Sequence, residues 1–431
     1  MPVAPLLVAA AFAACGAPPP APADSTATAF EHVTVIPMDG AERALVDHTV
    51  VVVGDRVVAV GPRGDVPIPD GATRIDGRGR YLIPGLAEMH GHVPPPSAPA
   101  ADTEETLFLY LASGITTVRG MLGADGQLAL RERAARGKIW SPTLYLAGPS
   151  FNGQSVSSPE QAAAMVRRQA AEGWDLLKVH PGPTRAEYDA MAEAAREAGM
   201  RFGGHVPADV GLAHALAQGQ ATFDHLDGFV EALGSDRGPL DAASLADLVR
   251  ATREAGAAVV PTMADLDALA AYPELAYVPA EQVARWAGAA RRSAASTDPA
   301  VGRRVADSRA RILAALHAGG VPVLMGTDAP QLFSVPGFSL HRELPYLQAA
   351  GMSPYEILYA GTTAVGAHFA GADTFGSVAP GHRADLVLLD ADPLADAAHL
   401  QEIAGVMVRG RWMPRAEIDR RLAAIADRHA R

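Results

Sequence analysis

The sequence predicts an α/β protein: a (β/α)8 TIM barrel that carries a small β-sandwich domain formed from both chain ends. In the middle of the chain, helical patterns repeatedly end at a glycine and are followed by a short apolar strand, as in a parallel sheet. Eight such strands can be counted, which is the number in this barrel. Runs rich in β-branched residues precede and follow this region and indicate hairpins.

The eight predicted barrel strands cover residues 86–89, 115–118, 144–147, 176–179, 202–204, 221–224, 258–261 and 323–326. Glycines end the helical patterns just before six of them: Gly114, Gly173, Gly199, Gly219, Gly256 and Gly320. In such barrels the chemistry lies at the carboxyl ends of the strands, so candidate functional residues should follow these segments.

These patterns divide the chain into five segments. We expect a signal peptide and Pro/Ala-rich tether at 1–29, the first part of the β-sandwich at 30–84, the barrel at 85–371, the second part of the β-sandwich at 372–413 and a C-terminal helical tail at 414–431. The sandwich domain is therefore split around the barrel.

Composition restricts the function. The chain has 431 residues with 36 basic and 48 acidic side chains, so its formal net charge is −12. This acidic balance argues against a nucleic-acid partner, because phosphate binding needs a basic face. The single cysteine excludes an internal disulfide framework and Cys-based zinc clusters. Any metal site must therefore use His, carboxylate or Lys side chains.

That cysteine, Cys15, follows an apolar run at residues 6–14. The run is too short to span a bilayer but suits the core of an export signal. The segment FAACG at 12–16 resembles the lipobox of bacterial lipoproteins, which implies lipidation of Cys15. We expect an exported protein, periplasmic or membrane-anchored through this lipid alone. An ordinary signal peptide and a mis-set start codon are the alternatives.

Side chains able to bind metal follow five of the predicted strands. They are His90 and His92 after the first strand, Lys178 at the fourth, His205 at the fifth, His225 at the sixth and Asp328 past the eighth. The i, i+2 spacing of His90 and His92 puts both imidazoles on one face of extended chain. Any one of these histidines alone is more often a satisfied core or surface residue, but the set predicts a metal site.

Lys178 is unusual in this set, because a divalent cation repels an ammonium group. Nearby positive charge lowers the pKa of a lysine, and the neutral amine can capture carbon dioxide to form a carbamate. The two carbamate oxygens could bridge two metal ions about 3.5 to 4 Å apart. The alternative is a lysine that reaches solvent from a strand end.

Four further segments are informative: LIPGLAEMHGH at 82–92, GITTVR at 114–119, GTD at 326–328 and APGHRADLV at 379–387. Together they resemble the amidohydrolase superfamily, especially its imidazolonepropionase-like and Xaa-Pro dipeptidase-like members. The resemblance implies two divalent metal ions, expected to be Zn²⁺. In binuclear relatives the positions of His90, His92 and Asp328 bind one ion, those of His205 and His225 bind the other, and a carboxylated lysine at the position of Lys178 bridges them.

The resemblance implies a hydrolase in which a metal-bound hydroxide attacks a carbonyl, with Asp328 as the catalytic group that passes a proton to the leaving amine. The favoured substrate is small, such as a dipeptide or an N-acyl amino acid cleaved at its C–N bond. Lactone or ester hydrolysis, and a non-catalytic ligand-binding lipoprotein, are the alternatives. A deaminase is disfavoured, because the acid expected just after His205 is missing.

Three more residues are candidate substrate contacts. His180 lies on the same strand face as Lys178, where it touches substrate or hydrogen-bonds a ligand residue. Arg119 ends the second strand and could bind a substrate carboxylate bidentately, or form an internal salt bridge. His341 belongs to a loop at 329–343 that we expect to cover the barrel mouth. A homo-oligomer is compatible with the sequence.

Overall fold

The computed structural model describes residues 27–266, 272–296 and 298–430. Cys15 and nearly all of the predicted leader and tether therefore lie outside the described residues. Within the described part of the chain, no helix is both long enough and apolar enough to cross a membrane.

Five strands come first. They are β1 (Ala27–Val35), β2 (Leu45–Val53), β3 (Arg56–Pro62), β4 (Thr73–Asp76) and β5 (Tyr81–Pro84). β2 is antiparallel to both β1 and β3. The β2–β3 turn contains Gly54 at a φ of +60°, a conformation that glycine adopts without steric cost.

The middle of the chain supplies seven parallel strands. They are β6 (Leu86–Gly91), β7 (Ile115–Gly120), β8 (Thr143–Leu146), β9 (Leu176–Val179), β10 (Arg201–Gly204), β11 (Thr222–Asp224) and β12 (Ala258–Val260). They form a three-stranded sheet in the order β6-β7-β8 and a four-stranded sheet in the order β12-β11-β10-β9. Seven of the eight predicted barrel strands are therefore present, close to their predicted bounds.

The eighth predicted strand, at 323–326, forms only one parallel bridge, between Val323 and Val259. The Leu324 N–H donates to the carbonyl of Val259 (2.9 Å), and the Met89 N–H donates to the carbonyl of Met325 (2.8 Å). The Met325 N–H donates to the carbonyl of Ala360 (3.3 Å) and not to a neighbouring strand, and the segment does not form a continuous ladder. The α/β class is confirmed, but among the residues that the structure describes no parallel sheet closes into the predicted barrel by strand pairing.

A parallel bridge between Ala147 and Leu176 joins the two parallel sheets. The carboxyl ends of all eight segments therefore lie on the same side, and helices connect them. The connecting helices are α1 (Ala100–Ala112), α2 (Gln127–Ala135), α3 (Pro159–Glu172), α4 (Arg185–Ala198), α5 (Leu212–Ala217), α6 (Asp227–Ala232), α7 (Ala242–Glu254), α8 (Ala280–Ser296) and α9 (Pro299–Ala318). The eighth segment is followed by α10 (Phe338–Ala349), α11 (Pro354–Gly361) and α12 (Thr363–His368). Short 3-10 helices at Met263–Leu266 and Pro273–Tyr277 lie between β12 and α8.

Helices α3 and α4 show why glycines mark the ends of helices in this sequence. Ser158 and Thr184 cap their amino ends by accepting backbone N–H hydrogen bonds. Gly173 and Gly199 end them in the left-handed conformation, which glycine favours at this position. The chain can then turn directly into β9 and β10.

The last strands return to the first. β13 (Leu386–Leu389) pairs with β5, and β14 (Ile403–Val408) and β15 (Arg411–Pro414) extend the sheet. A 3-10 helix at Ala397–Gln401 precedes β14, and α13 (Arg415–His429) follows β15. The sheet order is β15-β14-β13-β5-β1-β2-β3, with β4 beside β1. Both chain ends thus build one sheet-rich domain, although hydrogen bonding joins its strands into one mixed sheet and not into the two sheets of a sandwich.

The joint between this sheet and the parallel strands positions the first candidate ligands. Only Gly85 separates β5 from β6, and a Cβ at this residue would lie 2.1 Å from Oγ1 of Thr116. Every residue of β6 is buried. His90 therefore enters the interior at the carboxyl end of this strand.

Candidate metal centre

Side chains from the carboxyl ends of neighbouring parallel segments converge on one point. The ring centres of His90 and His225 are 4.4 Å apart, and those of His205 and His225 are 4.5 Å apart. His90, His225 and Asp328 each place one donor atom within 4.8 Å of the other two. The parallel order of the strands thus brings together residues that are distant in sequence.

His90 is the most enclosed of the histidines. Its Nδ1 lies 2.8 Å from a carboxylate oxygen of Asp224, and its Nε2 lies 3.0 Å from Nζ of Lys178. Burial, followed by the positive charge of Lys178, holds the pKa of His90 well below its usual range. The imidazole is therefore neutral, which is the form that binds metal ions.

His92 and Asp328 face each other beside His90. Nε2 of His92 lies 2.5 Å from Oδ1 of Asp328, and Nε2 of His90 lies 3.5 Å from the same oxygen. The Asp328 N–H donates to the carbonyl of His90 (2.7 Å), and Asp328 has a φ of +60°. Left-handed non-glycine residues are uncommon and cluster at functional sites. The backbone thus holds this carboxylate against two imidazoles.

His205 and His225 each have one ring nitrogen engaged by a neighbour. Nδ1 of His205 lies 2.7 Å from a carboxylate oxygen of Asp227, and Nδ1 of His225 lies 2.9 Å from Oγ1 of Thr262. Nε2 is then the nitrogen left to bind an ion. Metal-binding histidines usually have such a partner, because it fixes the tautomer and the ring orientation.

Lys178 is fully buried on β9, so the alternative of a solvent-exposed lysine is excluded. Its amino group reaches His90 in the interior. Burial lowers the pKa of Lys178 to about 8. A fraction of the amine is therefore neutral near pH 7, as carbamate formation requires.

The donor set fits divalent ions such as Zn²⁺. Imidazole nitrogens and carboxylate oxygens are common zinc ligands, and the site offers both. The Nδ1 atoms of His205 and His225 already have hydrogen-bond partners, so these two rings are oriented for binding through Nε2.

Sequence reasoning missed the residues that orient these ligands. Asp224 directly precedes His225, and Asp227 follows it by two residues, so acidic residues beside a strand-end histidine were the available signal. Thr262 carried no comparable signal, because 37 positions separate it from His225.

Glu88 was also missed, and it ties two ligand-bearing segments together. Its Oε1 accepts hydrogen bonds from the backbone N–H groups of His90 (2.8 Å) and Thr327 (2.9 Å), and its Oε2 accepts one from the Thr327 hydroxyl (2.6 Å). Burial raises the pKa of Glu88 to about 7. Its position two residues before His90, on a buried strand, was the signal.

The Arg119 side chain points into the protein interior and not towards the open end of the site. The side chain is 1% exposed, and its Nη2 lies 3.3 Å from Asp224. Its Nε donates to the carbonyl of Met89 (2.5 Å) and its Nη1 donates to Oγ1 of Thr222 (2.9 Å). Every residue of β7 is buried, so the guanidinium takes the alternative role of an internal salt bridge.

His341 contacts the opposite end of the parallel strands from the candidate ligands. It belongs to α10 and forms a hydrogen bond with the backbone of Ser113. Burial lowers the pKa of His341 to about 4, although this hydrogen bond acts to raise it. Ser113 precedes the amino end of β7, whereas the candidate ligands lie at the carboxyl ends. His180 stays at the centre, with its ring stacked on that of His205 at 5.2 Å between centres.

Comparison with known proteins identifies relatives of this chain. The model of the Amidohydrolase family matches residues 81–413. The imidazolonepropionase of Cereibacter sphaeroides (strain KD131 / KCTC 12085) is 27% identical over 387 residues, which cover 81% of this chain and 90% of that protein. Adenine deaminase 3 of Rhizobium meliloti (strain 1021) is 29% identical over 195 residues, or 41% of this chain, but the match spans only 32% of that protein's length.

Solved structures share the fold. Bottromycin amidohydrolase has a TM-score of 0.74 at 26% identity, covering 93% of this chain and 90% of that chain. A Xaa-Pro dipeptidase with bound methionine has a TM-score of 0.68 at 20% identity, covering 90% of this chain and 100% of that chain. The family match includes every strand end that carries a candidate ligand.

Proposed function

Since the chain belongs to the amidohydrolase family and is a hydrolase acting on carbon–nitrogen bonds, we propose that it cleaves an amide or peptide bond of a small substrate. A dipeptide or an N-acyl amino acid is the substrate class that we favour. We further propose that the ring of eight parallel segments corresponds to the barrel that is typical of this family.

One observation carries the proposal: four histidines, a buried lysine and an aspartate meet at the carboxyl ends of parallel segments. We infer that the site holds two divalent ions, taken to be Zn²⁺, through His90, His92, Asp328, His205, His225 and a carboxylated Lys178. Bound there, two such ions supply an activated water and a polarised scissile carbonyl.

The buried amine of Lys178 supports the carboxylation. Its neutral Nζ would attack carbon dioxide, form one N–C bond and release one proton, which leaves a carbamate with a single negative charge. The lowered pKa of Lys178, about 8, makes the neutral amine available for this step. The resulting group would replace an unfavourable cation by an anion with two oxygen ligands.

Asp328 is the group best placed to move a proton. Its Oδ1 lies beside Nε2 of both His92 and His90, and 19% of its side chain is exposed. It would accept a proton from water at a carboxylate oxygen and deliver that proton to the leaving nitrogen. Glu88 fixes the residue before Asp328, because its carboxyl accepts hydrogen bonds from the backbone N–H and the hydroxyl of Thr327.

The test combines metal analysis with a substrate screen. Purified full-length protein would be assayed for zinc content and for hydrolysis of dipeptides, N-acyl amino acids, lactones and adenine, with and without chelator. Two zinc ions per chain and chelator-sensitive amide cleavage are expected. Exclusive lactone hydrolysis or exclusive adenine deamination would overturn the amide assignment. Absence of turnover from a zinc-loaded chain would favour the ligand-binding alternative.

We also propose that the protein is exported and anchored by a lipid on Cys15. This proposal rests on the residue pattern of the leader, which lies outside the described residues. Mass spectrometry of the mature amino terminus from cells tests it. A diacylated cysteine is the expected terminus, and a mature chain that retains the leader would contradict export.

A further inference from the structure

The segment that follows β12 adopts an unusual conformation at the edge of the metal centre. Thr262 is fully buried and has a φ of +46°. For a β-branched residue the left-handed region is a true outlier, and it persists only where the surroundings hold it in place. We call residues 261–264 the β12 turn.

Two buried ionisable side chains from different helices hold the β12 turn. From α9, the guanidinium of Arg309 donates to the carbonyls of Pro261 (2.8 Å) and Thr262 (3.1 Å). From α10, the carboxyl of Glu343 accepts the N–H groups of Met263 (2.8 Å) and Ala264 (2.7 Å). Both side chains are buried, so backbone groups of four consecutive residues find side-chain hydrogen-bond partners in the interior.

The strained residue at the centre of the turn touches a candidate ligand. Oγ1 of Thr262 lies 2.9 Å from Nδ1 of His225, while the His225 N–H donates to the carbonyl of Val260 (2.9 Å). A hydroxyl that accepts Nδ1–H leaves Nε2 unprotonated and free to bind an ion. Backbone and side chain of His225 are thus both tied to the segment around Thr262.

We propose that the β12 turn is a positioning device for metal binding, in which Thr262 sets the tautomer and ring orientation of His225. Arg309 and Glu343 keep Thr262 in its strained conformation, so that its hydroxyl meets the imidazole. Thr262 acts through His225 and is a positioning residue. The inference rests on the proposed metal centre, but its test does not use turnover.

The test compares zinc affinities, measured by competition with a chelating dye, for the wild-type chain, Thr262→Val and Thr262→Ser. Valine keeps the β-branch and loses the hydroxyl, whereas serine keeps the hydroxyl. We expect Thr262→Val to weaken zinc binding by about 10- to 100-fold and Thr262→Ser to restore affinity to within about threefold of wild type. Thr252→Val is the matched control, because Thr252 is a buried threonine whose hydroxyl bonds the carbonyl of Leu248 on α7.

Nitrogen NMR of histidine-labelled, metal-free protein provides a second readout. The His225 signal should report the Nδ1–H tautomer in the wild type and a tautomer mixture in Thr262→Val. Wild-type zinc affinity in Thr262→Val, or equal weakening in Thr262→Val and Thr262→Ser, would overturn the inference. An unchanged His225 tautomer in Thr262→Val would also overturn the inference. This readout applies even if the variant is too unstable for zinc titration.

These outcomes separate the inference from the proposed function. A wild-type chain that binds zinc through a Thr262-dependent site but cleaves no amide would overturn the function alone. An active amide hydrolase whose zinc affinity is the same in the wild type and in Thr262→Val would overturn the inference alone. A wild-type chain without zinc affinity would overturn both.

Discussion

Nδ1 of His90 lies 2.8 Å from a carboxylate oxygen of Asp224, and both side chains are buried. The same carboxylate group lies 3.3 Å from Nη2 of Arg119. Asp224 therefore contacts a candidate metal ligand and also compensates a buried cation. The stability of the interior and the geometry of the metal centre depend on this one side chain.

Replacing Asp224 with Asn should destabilise the metal-free protein, because the guanidinium of Arg119 would remain buried without a counter-charge. We expect a loss of about 3 kcal/mol in the free energy of unfolding, measured by urea denaturation. Asp189→Asn is the control: Asp189 also contacts a histidine, His214, but is 43% exposed, so its loss should cost under about 1 kcal/mol. Equal effects of the two substitutions would contradict this role of Asp224.

Lys178→Ala should reduce the zinc content from about two ions per chain to one or fewer, because the bridging group is lost. The sequence has one other lysine, the exposed Lys138, so Lys138→Ala is a direct control. Carbon NMR of protein equilibrated with ¹³C-labelled bicarbonate should show a carbamate signal that only Lys178→Ala removes. Two retained zinc ions in Lys178→Ala would show that this residue is not a bridge.

Asp328→Asn should keep the fold and most of the bound metal but lose turnover, because an amide cannot accept and return the proton. We expect kcat to fall by about 10²- to 10⁴-fold on the best substrate of the screen. Circular dichroism and zinc analysis would confirm that the variant is folded and loaded. Near-normal kcat would assign the proton transfer to another group.

Glu343 should make stability depend on pH. Burial raises its pKa from 4.5 to about 7, and the negative charge of Glu88 adds to this rise. The N–H groups of Met263 and Ala264 and the charge of Arg309 lower the pKa, but by less than burial raises it. Because the folded-state pKa exceeds the unfolded value, this stabilisation is complete below about pH 4.5 and is lost as the pH rises towards 7. The full difference corresponds to roughly 3 kcal/mol.

Urea unfolding of metal-free protein at pH 5 and pH 8 checks this dependence. Wild-type stability relative to Glu343→Gln should fall by roughly 2 to 3 kcal/mol between these values, because glutamine does not titrate. Glu193→Gln, at an exposed position of α4, should leave the wild-type pH profile unchanged. A difference between wild type and Glu343→Gln that stays constant with pH would contradict the prediction.

The candidate ligands were predictable because they follow strands. A parallel strand order puts the carboxyl ends side by side, so His90 and Asp328 could be placed together although 238 positions separate them in the chain. The apolar pattern at 323–326 predicts a complete eighth strand, but the segment forms a single parallel bridge. Its backbone hydrogen bonds go to β12, to β6 and to Ala360, and the local pattern does not describe these partners.

The candidate substrate contacts were less predictable, because an arginine or histidine near a strand end can point in more than one direction. Arg119 turned into the interior towards Asp224, and His341 lies on a helix that packs near Ser113. In both cases the partner is distant in sequence, and no spacing rule links the two residues.

The sequence by itself determined the α/β class, seven of the strands and the six candidate ligands, because apolar periodicity and helix ends are local properties of the chain. Only the tertiary structure decided that Arg119 is internal, that His341 contacts the backbone of Ser113 and that Thr262 contacts His225. Those outcomes depend on how separate segments pack together, and the free energy of packing depends on contacts that no single segment contains.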